Sequence, residues 1–502
     1  MATNVLQLGG RDDWSEKYKM SDEITWNYNN FPPKKPAIYS VVIIDGAVNL
    51  TPKNWEKLIW ASTPYAVFYR PGTEKQLGAA GQRFIKLDAG KPFTCSPEQM
   101  IKDISDKYYF GQTGIRVLPN NINLNQELFD ELNYPDGGHL QLSVDSDEWQ
   151  TFGHYRNQLY VDPYRRLRIW LEASREPGVE LRIVVNELVV GDRQWTFPVT
   201  TKDAEEIIPT KLQTEGQFVS VSLQMRGHGK FTLGPFHYSW ARYGAGIFIV
   251  GAKRLIEPHN GEQVAYYLNP GNLKPPLNVY FSGARSAEGF EAYPLFRSFK
   301  APSLLFTDPR LEIGQFYTGD YMEPAIKRVI MRSLLKLGMT TDDLVMCGVS
   351  MGTYPAIKLG SELGAHAIVV AKALTNLGYL AERGRLQRPD EFETIFDIDR
   401  QLTQTDFPKG LHEIDQKFWR QFDEDNLART RLFITHMYQD DYDDRAVAKI
   451  KSSNAIQHVK EFATKGYPGH HNDNTDGTVS WMIYRIRQVM RDDFGNYQED
   501  DQ

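Results

Sequence analysis

The stretch Leu344-Val345-Met346-Cys347-Gly348-Val349-Ser350-Met351-Gly352-Thr353-Tyr354-Pro355 decides how this chain is read. Its first four residues are a short apolar run of strand character, and the pattern from Thr353 to Leu363 has helical spacing. Between them stands a serine with a glycine two positions away on each side. A strand that reverses into a helix at one exposed residue leaves no room for side chains at those flanking positions, so small residues are required there. Pro355 falls in the first helical turn, where a missing amide hydrogen costs little. Upstream, Ile326, Val329, Ile330, Leu334 and Leu337 recur at helical spacing after Glu323-Pro324 and stop at Gly338. The local order is helix, strand, serine turn, helix.

That order is the nucleophile elbow of an α/β-hydrolase, and it predicts what should follow. A serine is a poor nucleophile near neutral pH unless a base takes its proton, so an acid and then a histidine are expected downstream. Arg431 to Tyr438 reads as a strand, and the acidic turn Gln439-Asp440-Asp441-Tyr442-Asp443-Asp444 comes after it. Asp440, four residues beyond His436 at the strand end, is the first candidate acid; Asp441, Asp443 and Asp444 stay open. Val459 to Ala463 reads as one more strand, and the loop beyond carries Tyr467-Pro468-Gly469-His470-His471-Asn472-Asp473-Asn474. Either His470 or His471 could be the base. Val479, Met482, Ile483, Ile486, Val489 and Met490 then keep a helical stripe, as a helix covering the sheet requires.

Acidic runs and histidine pairs in polar loops are usually solvated surface when met singly. Their order and spacing after Ser350 are what favour a serine triad. His470, His471 and Asp473 lack the helical spacing of a zinc site, and the acidic run lacks the Asp-x-Asp-x-Asp-Gly pattern of a calcium loop, so no metal is expected. Stabilising a tetrahedral intermediate needs two amide donors. One follows as the NH of Met351; the other is expected at Gly283 or Ala284, after the apolar run Asn278-Val279-Tyr280-Phe281-Ser282.

The rest of the chain divides by pattern. Val5-Leu6-Gln7-Leu8 before Gly9-Gly10, the run Val41 to Ile44, the helical Trp55, Leu58 and Ile59, and the run Tyr65 to Tyr69 predict a small N-terminal α/β domain over residues 1–132. Gly9-Gly10 is too short for a dinucleotide fingerprint, so no bound cofactor is assigned. From Leu140 the period changes to two: Leu140, Leu142, Val144; Leu167, Ile169, Leu171; Val179, Leu181, Ile183, Val185; Val219, Val221, Leu223, Met225. This predicts an antiparallel β-sandwich, carbohydrate-binding-module-like, over 133–270. Trp149, Tyr155, Tyr160, Trp170 and Trp195 are candidates for a sugar-stacking face, although core packing is the commoner use of such residues. The catalytic α/β-hydrolase domain is expected over 271–502, with a polar, helix-prone insertion at about 383–425 that suits a lid.

With 502 residues, 41% hydrophobic and 24% charged, the chain has globular composition and room for several domains. A net charge of -7 argues against a nucleic-acid binder working through a basic field. Two cysteines, Cys95 and Cys347, do not make a disulfide framework, and neither a secretory leader nor a membrane-spanning run is evident. A cytoplasmic protein is expected.

Taken together, Val5 to Gly10, Val279-Tyr280-Phe281-Ser282-Gly283, Gly348-Val349-Ser350-Met351-Gly352, the Gln439 to Asp443 turn and Pro468-Gly469-His470-His471-Asn472-Asp473 resemble the second accessory secretory protein family of the Gram-positive accessory Sec system. The likeness spans nearly the whole chain. It implies an O-acetyltransferase that modifies N-acetylglucosamine on serine-rich-repeat adhesins before export, using an acetyl donor of unknown identity. It also implies a complex with two sister accessory secretory proteins near the accessory Sec motor at the membrane, and a non-enzymatic part in export. Carried over residue by residue, it implies Ser350 as nucleophile, Asp440 as acid and a base in the His470-His471 pair. A single histidine before Asn-Asp in the family pattern points to His471, whereas Gly469 directly before His470 supports the other choice.

Overall fold

A computed structural model describes residues 3–188, 193–202, 206–210, 216–311, 314–388, 397–398, 402–403 and 409–497. Three sheets organise them. The first is parallel and has five strands: Thr3–Leu8, Ile24–Tyr28, Val41–Ile44, Val67–Tyr69 and Lys91–Pro92. The second strand lies at one edge, followed by the first, third, fourth and fifth. Val41 to Ile44 is a continuous apolar run because both faces of this sheet are covered. On one face lies helix Pro52–Ala61, capped by the Thr51 side chain and burying Trp55, Leu58 and Ile59.

The second sheet is an antiparallel network of ten strands. Its period-two residues Leu140, Leu142, Val144, Leu167, Ile169, Leu171, Val179, Leu181, Ile183, Val185, Val219, Val221, Leu223 and Met225 share one core. Strand Gln217–Trp240 ties the network together: its first half pairs with Val179–Glu187, its middle with His139–Tyr155 and its last part with Leu167–Arg175. Sheet membership runs across the sequence-based boundaries. Gly114–Val117 and Ile122–Leu124, upstream of residue 133, pair into this second sheet.

The third sheet has eight strands: β1 Lys253–Ile256, β2 Gln263–Asn269, β3 Leu277–Phe281, β4 Ser303–Thr307, β5 Leu344–Val349, β6 Ala367–Ala371, β7 Arg431–Met437 and β8 Glu461–Tyr467. Their spatial order is β1-β2-β4-β3-β5-β6-β7-β8. Pairings β1/β2 and β2/β4 are antiparallel and all others parallel, so two strands before residue 271 belong to this sheet. Strand β8 runs to Tyr467, four residues past the apolar stretch that signalled it. It is an edge strand, only half-buried, so hydrophobicity does not mark its end.

Helices cover both faces of this sheet: α1 Met322–Leu337, α2 Thr353–Glu362, α3 Leu377–Gln387, α4 Lys409–Glu424 and α5 Thr475–Asp492. Residues Ile326, Val329, Ile330 and Leu334 of α1 pack with α2 and α4 on one face. On the other, α5 buries Met482, Ile486, Val489 and Met490, each contributing on the order of 1.5–3 kcal/mol by burial. A charge at Ile486 would break that layer. In the expected insertion, Leu411, Ile414 and Phe418 of α4 join the main core; residues 389–396, 399–401 and 404–408 lie outside the described set.

Candidate active site

Ser350 stands at the carboxyl end of β5, where the chain turns through one 3₁₀ turn into α2. Its φ is 51°, a left-handed conformation that is strained for a residue with a Cβ. The flanking glycines are required by contact. A Cβ on Gly348 would lie 2.1 Å from the Gly352 carbonyl oxygen, and one on Gly352 would lie 2.0 Å from that of Phe281. The strained turn is pinned by Thr353, whose hydroxyl donates to the Ser350 carbonyl (2.6 Å) and accepts from the Leu374 amide (2.8 Å).

The loop after β8 brings His471 against this serine, with Nε2 2.9 Å from Ser350 Oγ. On the other side of the ring, Nδ1 lies 3.0 and 3.2 Å from the two oxygens of Asp440. Ser350, His471 and Asp440 thus form one continuous hydrogen-bonded line at the carboxyl ends of β5, β8 and β7. His471 is buried, at 1% exposure, while its neighbour His470 is exposed and makes no contact with the serine. The His470 amide donates to Asp473 at 2.8 Å.

Each aspartate of the acidic run has its own partner. Asp440 Oδ1 also accepts from the amides of Tyr442 (2.9 Å) and Asp443 (3.1 Å). Burial opposes ionisation of Asp440, but His471 and those two amides outweigh it and hold the carboxyl below its usual range. Asp441 accepts from the His471 amide, 2.8 Å away. Asp443 is buried and accepts from the amides of Thr375 and Asn376, burial raising its pKa. Asp444 pairs with Arg383 at 2.7 Å. The alternatives Asp441, Asp443 and Asp444 are therefore engaged away from the imidazole ring nitrogens.

Lys372, which carried no sequence signal, is buried just past the end of β6. Its Nζ donates to Thr475 Oγ1 at 2.8 Å, and burial lowers its pKa although Asp440 and Asp473 act in the opposite sense.

The loop after β3 passes beside the nucleophile: an ideal Cβ on Gly283 would lie 3.9 Å from Ser350 Cβ. The amide of Gly283, expected as an oxyanion donor, is instead taken by Glu291 Oε1 at 3.1 Å, which also accepts from Tyr280 Oη. Of the two expected alternatives this sets Gly283 aside, because an amide bonded to a carboxylate does not face a developing oxyanion. Ala284, next in the loop and half-buried, and Met351 are the remaining candidates.

The aromatic residues of the second sheet do not share one face. Tyr155 and Trp170 are buried, the latter donating to the Gly261 carbonyl, while Trp149 is covered by Arg182 and Arg226. Trp195 packs at the core edge, and Tyr160, half exposed, contacts Phe218. Among the described residues, no group of three or more His, Cys, Asp or Glu side chains could hold a metal ion. Nor is any described helix long and apolar enough to cross a membrane.

With this geometry in place, relationship to known proteins can be read over the whole chain. Residues 3–496 match the family described as accessory Sec system GspB-transporter. The chain belongs to that family. An accessory Sec system protein of Staphylococcus aureus strain NCTC 8325 is 33% identical over 395 residues, covering 78% of this chain and 75% of the relative. The Streptococcus gordonii accessory Sec protein is 27% identical, covering 98% of both chains. A chain of the solved Glycosylation Associate Protein (Gap123) complex from Streptococcus agalactiae superposes with a TM-score of 0.85 at 26% identity, covering 99% of each. The accessory Sec fold described here is thus similar along its full length to a subunit seen within an assembly.

Proposed function

We propose that this accessory Sec protein is a serine-dependent O-acetyltransferase. Its substrate is N-acetylglucosamine on serine-rich-repeat adhesins, modified in the cytoplasm before the accessory Sec system exports them. The observation that carries the reading is the line from Ser350 Oγ to His471 Nε2 (2.9 Å) and from Nδ1 to Asp440 (3.0 Å). The strand order β1-β2-β4-β3-β5-β6-β7-β8, with a strained serine after β5, supports an α/β-hydrolase catalytic domain.

In this mechanism His471 takes the Ser350 proton as Oγ attacks the acetyl carbonyl, and the oxyanion is held by the Met351 amide with Ala284 as second donor. Collapse expels the donor's leaving group, which receives the proton from His471. A sugar hydroxyl then attacks the acetyl-serine while His471 takes its proton, and Ser350 recovers one as the ester forms. Asp440 fixes the imidazole tautomer and supports the imidazolium between steps. Membership of an accessory Sec family and full-length similarity to a subunit of a Gap123 complex support a role among two sister accessory secretory proteins, close to the accessory Sec motor.

The test is incubation of the purified protein with an acetyl donor and a serine-rich-repeat acceptor carrying N-acetylglucosamine. Acetylated sugar that is absent with Ser350→Ala is the expected result. Acetate release with no modified acceptor would instead make the protein a carbohydrate esterase, and neither product would reduce it to a glycan- or partner-binding export factor.

A further inference from the structure

The base is held in its plane by two bonds, Nε2 to Ser350 and Nδ1 to Asp440. Two in-plane bonds define an axis, and they do little to stop the ring tilting about it. That freedom is removed by Tyr442, whose ring stacks on His471 with centroids 4.2 Å apart and planes 1° from parallel. Tyr442 is buried, and its outer face is covered in turn by Arg388, with Cζ 3.8 Å from the ring centroid. Arg388 also bonds to Asp441, through the backbone carbonyl and through the carboxylate at 3.1 Å. The same carboxylate accepts the backbone NH of His471. Guanidinium, phenol ring and imidazole therefore form a three-layer stack, closed at its edge by Asp441.

Arg388 follows directly on α3, at the beginning of the insertion. The helix is fastened to the acidic turn along its length. Asn376 bonds to Asp443 at its start, Tyr379 and Arg383 reach Asp444 in its middle, and Arg388 meets Asp441 and Tyr442 at its end. Two amides of its first turn, those of Gly378 and Tyr379, donate to Asp415 of α4. A displacement of α3 or α4 would thus reach the base through Arg388 and Tyr442.

We propose that Tyr442 and Arg388 are positioning residues for His471, and that through them α3 sets how fast Ser350 is activated. The inference rests on the catalytic reading above, and its test separates the two. Ser350 is titrated with a fluorophosphonate probe, giving both the rate of labelling and the final labelled fraction, and kcat and KM are measured on a chromogenic acetate ester. Arg388→Met keeps the stem and loses the planar cation; Tyr442→Leu keeps apolar bulk and loses the flat ring; Tyr442→Phe keeps the ring. The expected result is a labelling rate and kcat lowered about tenfold to a hundredfold by Arg388→Met and Tyr442→Leu. Tyr442→Phe should stay within about twofold, with KM and the final labelled fraction unchanged throughout. A merely structural role would lower the labelled fraction and leave the rate of the folded molecules alone.

Wild-type rates in Arg388→Met, or a Tyr442→Phe variant as slow as Tyr442→Leu, would overturn the inference while leaving the serine reading intact. Should Tyr442→Leu not fold, Arg388→Met decides alone. Failure of the wild type to label at Ser350 would overturn the serine reading and the inference together.

Discussion

Replacing Asp440 by asparagine is the perturbation whose outcome the structure fixes most closely. Oδ1 accepts two backbone amides, those of Tyr442 and Asp443, at 2.9 and 3.1 Å. An asparagine at this position keeps both bonds only with its carbonyl oxygen in that place. Its NH2 group then occupies the site of Oδ2, 3.0 Å from His471 Nδ1. An amide nitrogen there donates, and an Nδ1–H would oppose it and keep only the longer 3.2 Å contact to Oδ1, so Nδ1 is expected to accept and the ring proton to move to Nε2, where it points at Ser350. A base in that tautomer cannot take the serine proton. The loss seen when a triad aspartate becomes asparagine, about 10⁴ in kcat or roughly 5.4 kcal/mol, is the magnitude to expect here. Fold and KM should be unaffected, because shape and both amide bonds survive. The assay is the kcat for a chromogenic acetate ester, with thermal unfolding and active-site titration as controls. Activity within about threefold of wild type in folded Asp440→Asn would refute the reasoning, since it would mean that no step depends on the tautomer of His471.

Gly352→Ala places a Cβ 2.0 Å from the Phe281 oxygen and 2.7 Å from its carbon, both backbone atoms, so unfolding should become easier by about 3 kcal/mol or more, read by denaturant titration. Burial raises the Asp88 carboxyl to about 8 despite a hydrogen bond from Ser62 and the charge of Arg297, so the folded state keeps a proton that the unfolded chain gives up near pH 4. Stability from this group is therefore lost as pH rises from about 4 towards 8: wild type should lose up to about 3 kcal/mol relative to Asp88→Asn between pH 5 and pH 7, read as the difference between their unfolding curves. Ser350→Ala should abolish acetylation of the glycan acceptor while unfolding and association with the sister accessory proteins stay as in wild type.

What was legible in the sequence was whatever local sterics or periodicity imposes. The glycines around Ser350 are required by contacts within ten residues or across one neighbouring strand, so the elbow can be read directly. The alternating residues of the second sheet and the stripe of α5 are likewise forced by having one buried face. Choices set by which side chain folds back on which were not legible. The sequence pattern does not distinguish His470 from His471; His471 is the one whose ring meets Asp440 and stacks on Tyr442. Gly283 looked like a free donor because Glu291, eight residues on, gives no sign of folding back on it. Lys372 reads as the end of an apolar strand, although its ammonium is buried and bonded to Thr475. Sheet boundaries failed for a related reason. Strand β2 joins the third sheet through pairing with β4, some 35 residues away, and composition does not change where that partnership begins.

The most direct measurement of the central claim is mass spectrometry of the acid-quenched protein after brief mixing with an acetyl donor. An acetyl group should appear on the peptide that contains Ser350, form rapidly, be lost when a sugar acceptor is added, and be absent in Ser350→Ala. An acetyl group carried on another residue, or turnover that continues unchanged in Ser350→Ala, would contradict it.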